Sequence, residues 1–289
     1  MSELRQQMID AMRQRGFAVR THQAYLGAVT GLARYYHRAP DRLSAQEVKG
    51  YIRHLAVDRA LSGSTCRQHL HAVRFFYQHV LGRSAFDITL ALPKCAQRIP
   101  ELLTRAEVAA VLAATHNPKH RMVLSVCYGC GLRVSELTAI RVRRDIDGER
   151  QLLRIEQGKG AKDRVVPIGN RLLEQLREYW CCYRPRQWLF EREHRPEMAL
   201  GVSTCQRVFQ NAKAATGIEK VGGIHSLRHA YATHQLEAGL PIQDLQHYLG
   251  HRSIQSTMRY LHWIPNYREG QGQHDLIAQL PEPREVDHG

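Results

Sequence analysis

Residues 87–100 read DITLALPKCAQRIP, with prolines at 93 and 100 and no helical or strand period between them. Proline removes a backbone donor and pushes the residue before it away from the helical region, so no regular element runs through this stretch. The sequence on its two sides follows different rules. Before it, apolar residues recur at helical spacing only; after it, helical spacing is interrupted by two short runs of strand-like alternation. At 289 residues the chain has room for two domains of about 100–200 residues each. The expected division is an N-terminal domain over 1–90, a linker at 91–101, a second domain over 102–266 and a tail over 267–289.

The first domain reads as a basic helical bundle of four or five helices. Ala24, Leu26, Val29, Leu32 and Ala33 lie near helical spacing. Ser44 with Glu47 forms a capping box ahead of Val48, Ile52 and Leu55, because each side chain can bond the other's free backbone N–H. Ser62-Gly63-Ser64 breaks that helix; the next carries Leu70, Val73, Tyr77 and Val80 and stops at Gly82. Arg20, Arg53, Arg67 and Arg74 sit between the apolar stripes.

The second domain opens with another capping box, Thr104 with Glu107, and helical spacing is expected to continue through 121–140. QLLRIEQ and DRVVPIG then flank the turn GKGAK, which predicts a β-hairpin over 151–169. Helices are expected at 170–182, 203–216, 226–238, 241–249 and 253–262, and the polar tail from Tyr267 reads as a mobile segment or an interaction arm. The fold class is therefore mainly α with a small antiparallel β-sheet, an α+β arrangement.

Charge narrows the function. Lys and Arg number 41 against 27 Asp and Glu, a formal net charge of +14. Residues 1–96 hold 14 basic and 6 acidic side chains, and residues 97–266 hold 25 and 16, so both halves are positive. An anionic polymer is the natural partner, through release of the counterions condensed on its phosphates. No apolar run nears the roughly 20 residues that span a bilayer, and the charged start MSELRQQMIDAMRQRGF lacks a signal peptide's apolar core. A cytoplasmic protein, associated with the nucleoid and not with a membrane, is expected. The cysteines are seven, an odd number, and Cys127-x-x-Cys130 has no second pair at zinc spacing, so packing explains them better than disulfides or metal.

Four local patterns stand out in the second domain: G-L-R-V-S-E-L at 131–137, G-K-G-A-K-D-R at 158–164, H-S-L-R-H at 225–229, and L-G-H at 249–251 followed by Tyr260. Each alone is weak, since a surface arginine or two residues on one helix face is ordinary. In this order and at this spacing the set resembles the tyrosine recombinases, the phage-integrase family that includes the Xer proteins and the integron integrases. The resemblance covers nearly the whole chain, with R-T-H-Q-A-Y at 20–25 and the helices to Gly82 similar to the family's core-binding domain. The interval between the hairpin and H-x-x-R is shorter than in the integron branch.

The resemblance implies a core-binding domain and a catalytic domain forming a C-shaped clamp on duplex DNA. It implies that Arg133 and Arg228 clamp the scissile phosphate, with His225 and His251 beside them. Lys159 would protonate the leaving 5′-oxygen, and Tyr260 would be the nucleophile. It also implies DNA cleavage and rejoining through a 3′-phosphotyrosyl intermediate, without metal, ATP or other cofactor. A homotetramer on two DNA sites would assemble from monomers, with the tail as a docking arm between protomers. Arg20, Arg53, Arg67, Arg74, Lys162 and Arg164 are expected to touch DNA.

The chemistry of the residues agrees. Two guanidiniums offer permanently charged planar donors to the oxygens of a pentacoordinate phosphorane. A phenol of pKa about 10 needs neighbouring groups to take its proton at neutral pH. Some alternatives stay open on sequence: Lys162 against Lys159 in the turn, Tyr267 against Tyr260, and a zinc site from His225, His229 and His234. Glu136 reads as a structural partner for its helix, and Trp180, Trp188, Phe190 and Trp263 as core or interface aromatics. A DNA-binding protein without catalysis, and an enzyme that only nicks and reseals as type IB topoisomerases do, are the rival functions.

Overall fold

The computed structural model describes residues 3–83, 101–156, 163–264 and 276–281. The chain separates into two compact units, Met1–Arg98 and Ile99–Gly289. The linker segment between 84 and 100 lies outside the described residues, as do Lys159, Lys162, Cys95 and Tyr267.

Among its described residues the first unit has four α-helices: α1 (Glu3–Gln14), α2 (Val19–Tyr36), α3 (Ala45–Val57) and α4 (Gly63–Phe75). Ser44 caps α3 as its spacing predicts: its Oγ accepts from the Glu47 N–H, and the Glu47 carboxylate accepts from the Ser44 N–H at 2.8 Å. The last helix passes into a wider π-type turn, Phe76–Val80, which places Phe76 and Tyr77 in the core. Met8 and Met12, one turn apart on α1, join Leu32, Val48, Ile52, Leu70 and Val73 there.

The second unit is built around two helices with almost no exposed face. These are α6 (Pro118–Gly129), buried without interruption from Met122 to Gly129, and α11 (His225–Glu237), buried at nine positions. A helix apolar or small on every side belongs at the centre of its domain. Around them pack α5 (Arg105–Ala113), α7 (Val134–Thr138), α8 (Val142–Asp145), α9 (Asn170–Tyr183), α10 (Val202–Ala215), α12 (Ile242–Leu249) and α13 (Gln255–Leu261). The hairpin forms as expected from β2 (Leu152–Ile155) and β3 (Arg164–Pro167), antiparallel, with Leu153 opposite Val166 and Ile155 opposite Arg164. A short strand, β1 (Ile146–Asp147), extends that sheet on the β2 side.

Three features differ from the sequence expectation. Helical structure does not run through 121–140: Gly131, at φ +60°, ends it, and α7 starts afresh at Val134. A second hairpin, β4 (Glu191–Arg192) with β5 (Arg195–Ala199), occupies a stretch to which the sequence reading assigns no element. Its residues are mostly charged and exposed, so neither apolar alternation nor a two-residue glycine turn marks it. Finally, the tail is not wholly a polar arm. Within it, Leu276 and Ile277 are buried in the core of their own unit. Ile277 lies beside Gly129 of α6, and Gln279 accepts a hydrogen bond from Arg105. No helix among the described residues is long and apolar enough to cross a membrane.

Candidate active site

Most side chains of the site sit at or near the end of an element, where the fold can hold them in place. Gly131 breaks the chain after α6, so Arg133 becomes the residue preceding the first turn of α7. Its N–H donates to Glu136 Oε2 at 2.8 Å and its Nη1 to Oε1 at 2.7 Å. His225 and Arg228 occupy the first turn of α11, and His229 follows on the next. Gly250, at φ +62°, caps α12 and delivers His251. Tyr260 and Thr257 face inward from α13.

Glu136 is the hub. Beyond Arg133, it receives Arg164 bidentately, Nη1 to Oε1 at 2.9 Å and Nη2 to Oε2 at 2.7 Å, and Arg228 lies 3.8 Å away. Burial alone would raise its carboxyl, but the hydrogen bonds and charge of Arg164, with the Arg133 N–H, bring it down to about 2. One carboxylate among three guanidiniums leaves the cluster with a net positive charge, which favours an anion beside it. Arg228 is 1% exposed, its Nη1 donating to the Gly131 carbonyl at 2.7 Å and its Nη2 to that of Leu249 at 2.6 Å. Burial and the Arg133 charge lower it to about 10, which still leaves it a cation at neutral pH.

Arg164, expected from sequence at the DNA, is instead turned into the protein interior. It is 5% exposed and its guanidinium is consumed by Glu136 and, through Nε at 2.7 Å, by the Tyr248 carbonyl. Strand alternation explains this: Arg164 shares the inward face of β3 with Val166 while Val165 is exposed. A Cβ on Gly250 would come within 2.9 Å of the Arg164 side chain, so the L-G-H motif needs its glycine for that passage as well as for its φ.

The histidines take distinct places. His251 Nε2 lies 3.3 Å from Arg228 Nη2 and its Nδ1 lies 2.9 Å from Thr257 Oγ1. Arginine only donates, so Nε2 accepts and Nδ1–H donates to the threonine. Burial and then the Arg228 charge hold His251 down at about 3. His225 is exposed, its ring edge-on to His229 at 4.8 Å between centroids. His229 Nδ1 lies 3.0 Å from the Tyr260 hydroxyl. The Tyr260 ring, 4% exposed, runs parallel to that of His251 at 6.3 Å and meets Trp263 edge-on at 5.2 Å. Burial raises the Tyr260 phenol, while Arg228, Arg259 and Arg133 pull it back.

Of the sequence-identified set, Arg133, His225, Arg228, His251 and Tyr260 therefore converge, and Lys159 lies outside the described residues. His229 was weighed only as a zinc ligand, although its i+4 spacing from His225 puts the two on one helix face. The third histidine of that pattern, His234, bonds elsewhere, its Nδ1 2.8 Å from the Tyr128 hydroxyl. Among the described residues no group of three or more His, Cys, Asp or Glu is placed to hold a metal ion. Cys127 and Cys130 are buried apolar packing, with burial pushing the Cys130 thiol up to about 12. In the first unit, Arg20 and Arg53 are exposed on α2 and α3, and Arg67 and Arg74 are half-buried, seven residues apart on one face of α4. Of the four aromatics, Phe190 is core, Trp263 packs against the core beside Tyr260, Trp188 is half-buried under Arg141, and Trp180 is exposed under Arg184.

Known proteins resemble the chain along most of its length. The phage integrase family matches residues 101–266, and the phage integrase N-terminal SAM-like domain matches 4–86. A Sinorhizobium fredii chain named as an integrase/recombinase is 37% identical, covering 92% of this chain and 86% of its own. A tyrosine recombinase of Pseudothermotoga lettingae is 32% identical over 77% of this chain and 79% of its own. In structure, the XerA recombinase crystal structure superposes with a TM-score of 0.52 at 25% identity, covering 89% and 92% of the two chains. A lambda integrase dimer bound to a core site shares the fold at TM-score 0.73 and 17% identity, covering 93% and 79%.

Proposed function

The chain belongs to the phage integrase family, that of the tyrosine recombinases, and from that premise we propose that it is a site-specific recombinase cutting and rejoining duplex DNA through a 3′-phosphotyrosyl intermediate. The observation that supports this reading is the gathering of Arg133, Arg228 and His251 around the buried Tyr260, with His225 packed on the His229 ring beside it. These residues come from three separate stretches of sequence, and an ordinary basic surface has no need to assemble them.

Each step follows from a residue. The scissile phosphate binds in the positive pocket, where Arg133 and Arg228 stabilise charge on its oxygens as the phosphorane forms. Glu136 fixes Arg133 without cancelling the pocket's charge. Tyr260 Oη attacks phosphorus, the 5′-oxygen leaves with a proton from Lys159, and the phosphotyrosine conserves the bond for rejoining. No ATP or metal is required by this scheme. Phosphate contacts from the first unit, through Arg20, Arg53, Arg67 and Arg74, would add affinity, while base contacts select the site. Exchange of strands between two duplexes needs four active sites, hence a tetramer assembled on DNA from monomers.

The experiment is recombination on supercoiled plasmids carrying one or two copies of a binding site drawn from flanking DNA. Two copies should yield deletion or inversion products that a one-copy plasmid does not, in EDTA and without nucleotide. Relaxation of both plasmids with no exchange would make the protein a nick-and-reseal enzyme. Binding with neither would leave a non-catalytic DNA-binding protein.

A further inference from the structure

The Tyr260 hydroxyl has one imidazole nitrogen at hydrogen-bond distance among the described residues, and it is not on His251. Both nitrogens of His251 are engaged elsewhere, Nε2 with Arg228 and Nδ1 with Thr257, and its ring lies parallel to that of Tyr260. His229 Nδ1 instead stands 3.0 Å from Tyr260 Oη. Its ring is fixed on two further sides, by His225 edge-on at 4.8 Å and Trp263 edge-on at 6.4 Å. Such packing selects one ring orientation, and a nucleophile next to an oriented base is the arrangement that activates hydroxyls.

We infer that His229 is a catalytic residue: its Nδ1 accepts the Tyr260 proton as the phenol oxygen attacks phosphorus. The inference rests on the recombinase reading given above. As the Oη–P bond forms, the Oη–H bond breaks and its proton passes to Nδ1, leaving an imidazolium. The P–O5′ bond breaks with its electron pair on the 5′-oxygen, which takes a proton from Lys159. Rejoining reverses each transfer: a 5′-hydroxyl attacks, and the departing tyrosine oxygen recovers its proton from His229, so none is consumed over the cycle.

The surroundings suit a base that works only on bound DNA. Burial first, and then the charges of His225 and Arg228 on its own helix and Arg259 on α13, hold His229 at about 4. It is therefore neutral and ready to accept at neutral pH, but weakly basic. A phosphate seated between Arg133 and Arg228 offsets the cations that depress it, and so raises its proton affinity when substrate arrives.

The test measures single-turnover covalent adduct formation by the full chain on a nicked suicide duplex, across pH. Tyr260 is either natural or replaced by 3,5-difluorotyrosine, whose phenol ionises far more readily. His229→Asn places an amide oxygen near the position of Nδ1 but takes up no proton, and His229→Gln serves as a second variant. The expected result is a fall of about 10²-fold at neutral pH, typical of a lost proton acceptor. That deficit should shrink as pH rises and shrink again with difluorotyrosine, while DNA affinity and thermal unfolding match wild type. A deficit constant with pH and untouched by difluorotyrosine overturns the inference, as does wild-type or faster cleavage by the variants. Independently of any change at 229, the imidazole ¹⁵N signals of the wild-type chain should show Nδ1 unprotonated and shifted by Tyr260→Phe; a protonated Nδ1 overturns it. Wild-type protein forming no adduct on any bound site defeats the recombinase reading and this one together, whereas an adduct indifferent to His229 defeats this one alone.

Discussion

Arg164 occupies the place where sequence and structure part most clearly at the scale of single residues. A basic side chain in a hairpin following two lysines invites assignment to DNA, yet its guanidinium is shared between Glu136 and a backbone carbonyl inside the protein. Its replacement by Met should cost on the order of 3 kcal/mol, because Glu136 would keep a buried charge with its best partner removed. Adduct formation should fall as well, since Arg133 is held through the same carboxylate. Thermal unfolding beside a DNA-binding isotherm checks this: a residue touching only phosphate would weaken binding and leave stability unchanged. The inward placement could be read from β3 itself, where Arg164 and Val166 alternate with Val165. What sequence does not supply is the partner, because Glu136 lies far along the chain. The place of His229 beside Tyr260 was not legible for the same reason: the tyrosine arrives from another helix.

Among elements, those written in short-range chemistry were legible. Both capping boxes form with the reciprocal bonds their spacing demands, and the β2–β3 hairpin pairs as its alternation requires. The α6–α7 junction was not, because a run of small and apolar residues continues through it and only the backbone at Gly131 reveals the stop. That glycine does two jobs. Its left-handed φ turns the chain toward Arg133, and its bare Cα lets Tyr231 pack where a Cβ would lie 2.3 Å from the ring. Its carbonyl also anchors Arg228. Gly131→Ala should therefore destabilise by roughly 2–4 kcal/mol, the sum of a left-handed alanine and a core overpacked at one ring. Because both arginines of the proposed phosphate clamp lean on this junction, adduct formation should fall more than DNA affinity does. Denaturant unfolding and single-turnover cleavage of the same preparation separate the two effects.

For the whole molecule, the chain separates into two units, Met1–Arg98 and Ile99–Gly289, and the two family models match 4–86 and 101–266. The tail was misjudged because polarity dominates its composition, while its structural content rests on two residues. Leu276 is buried in the core, Ile277 packs on α6 beside Gly129, and Arg105 ties the turn down through Gln279. Truncating Leu276 to Ala should cost about 3 kcal/mol, a typical penalty for a buried leucine. In a unit of this size that corresponds to a fall of roughly 10 °C in Tm. An unchanged Tm would mean that this turn does not contribute to the stability of its own unit in solution. Steep loss of DNA affinity with salt is the companion expectation for a chain of net charge +14.

The central claim is that Tyr260 becomes covalently joined to DNA, and one measurement addresses it directly. Wild-type chain and Tyr260→Phe are incubated in EDTA with a nicked duplex carrying a site that both bind, denatured, digested and analysed by peptide mass spectrometry. The account predicts a nucleotide-bearing peptide from the wild type alone, with the modification on Tyr260 and a 3′-phosphate linkage. An adduct that persists in Tyr260→Phe, or one that maps to Tyr267, would contradict it.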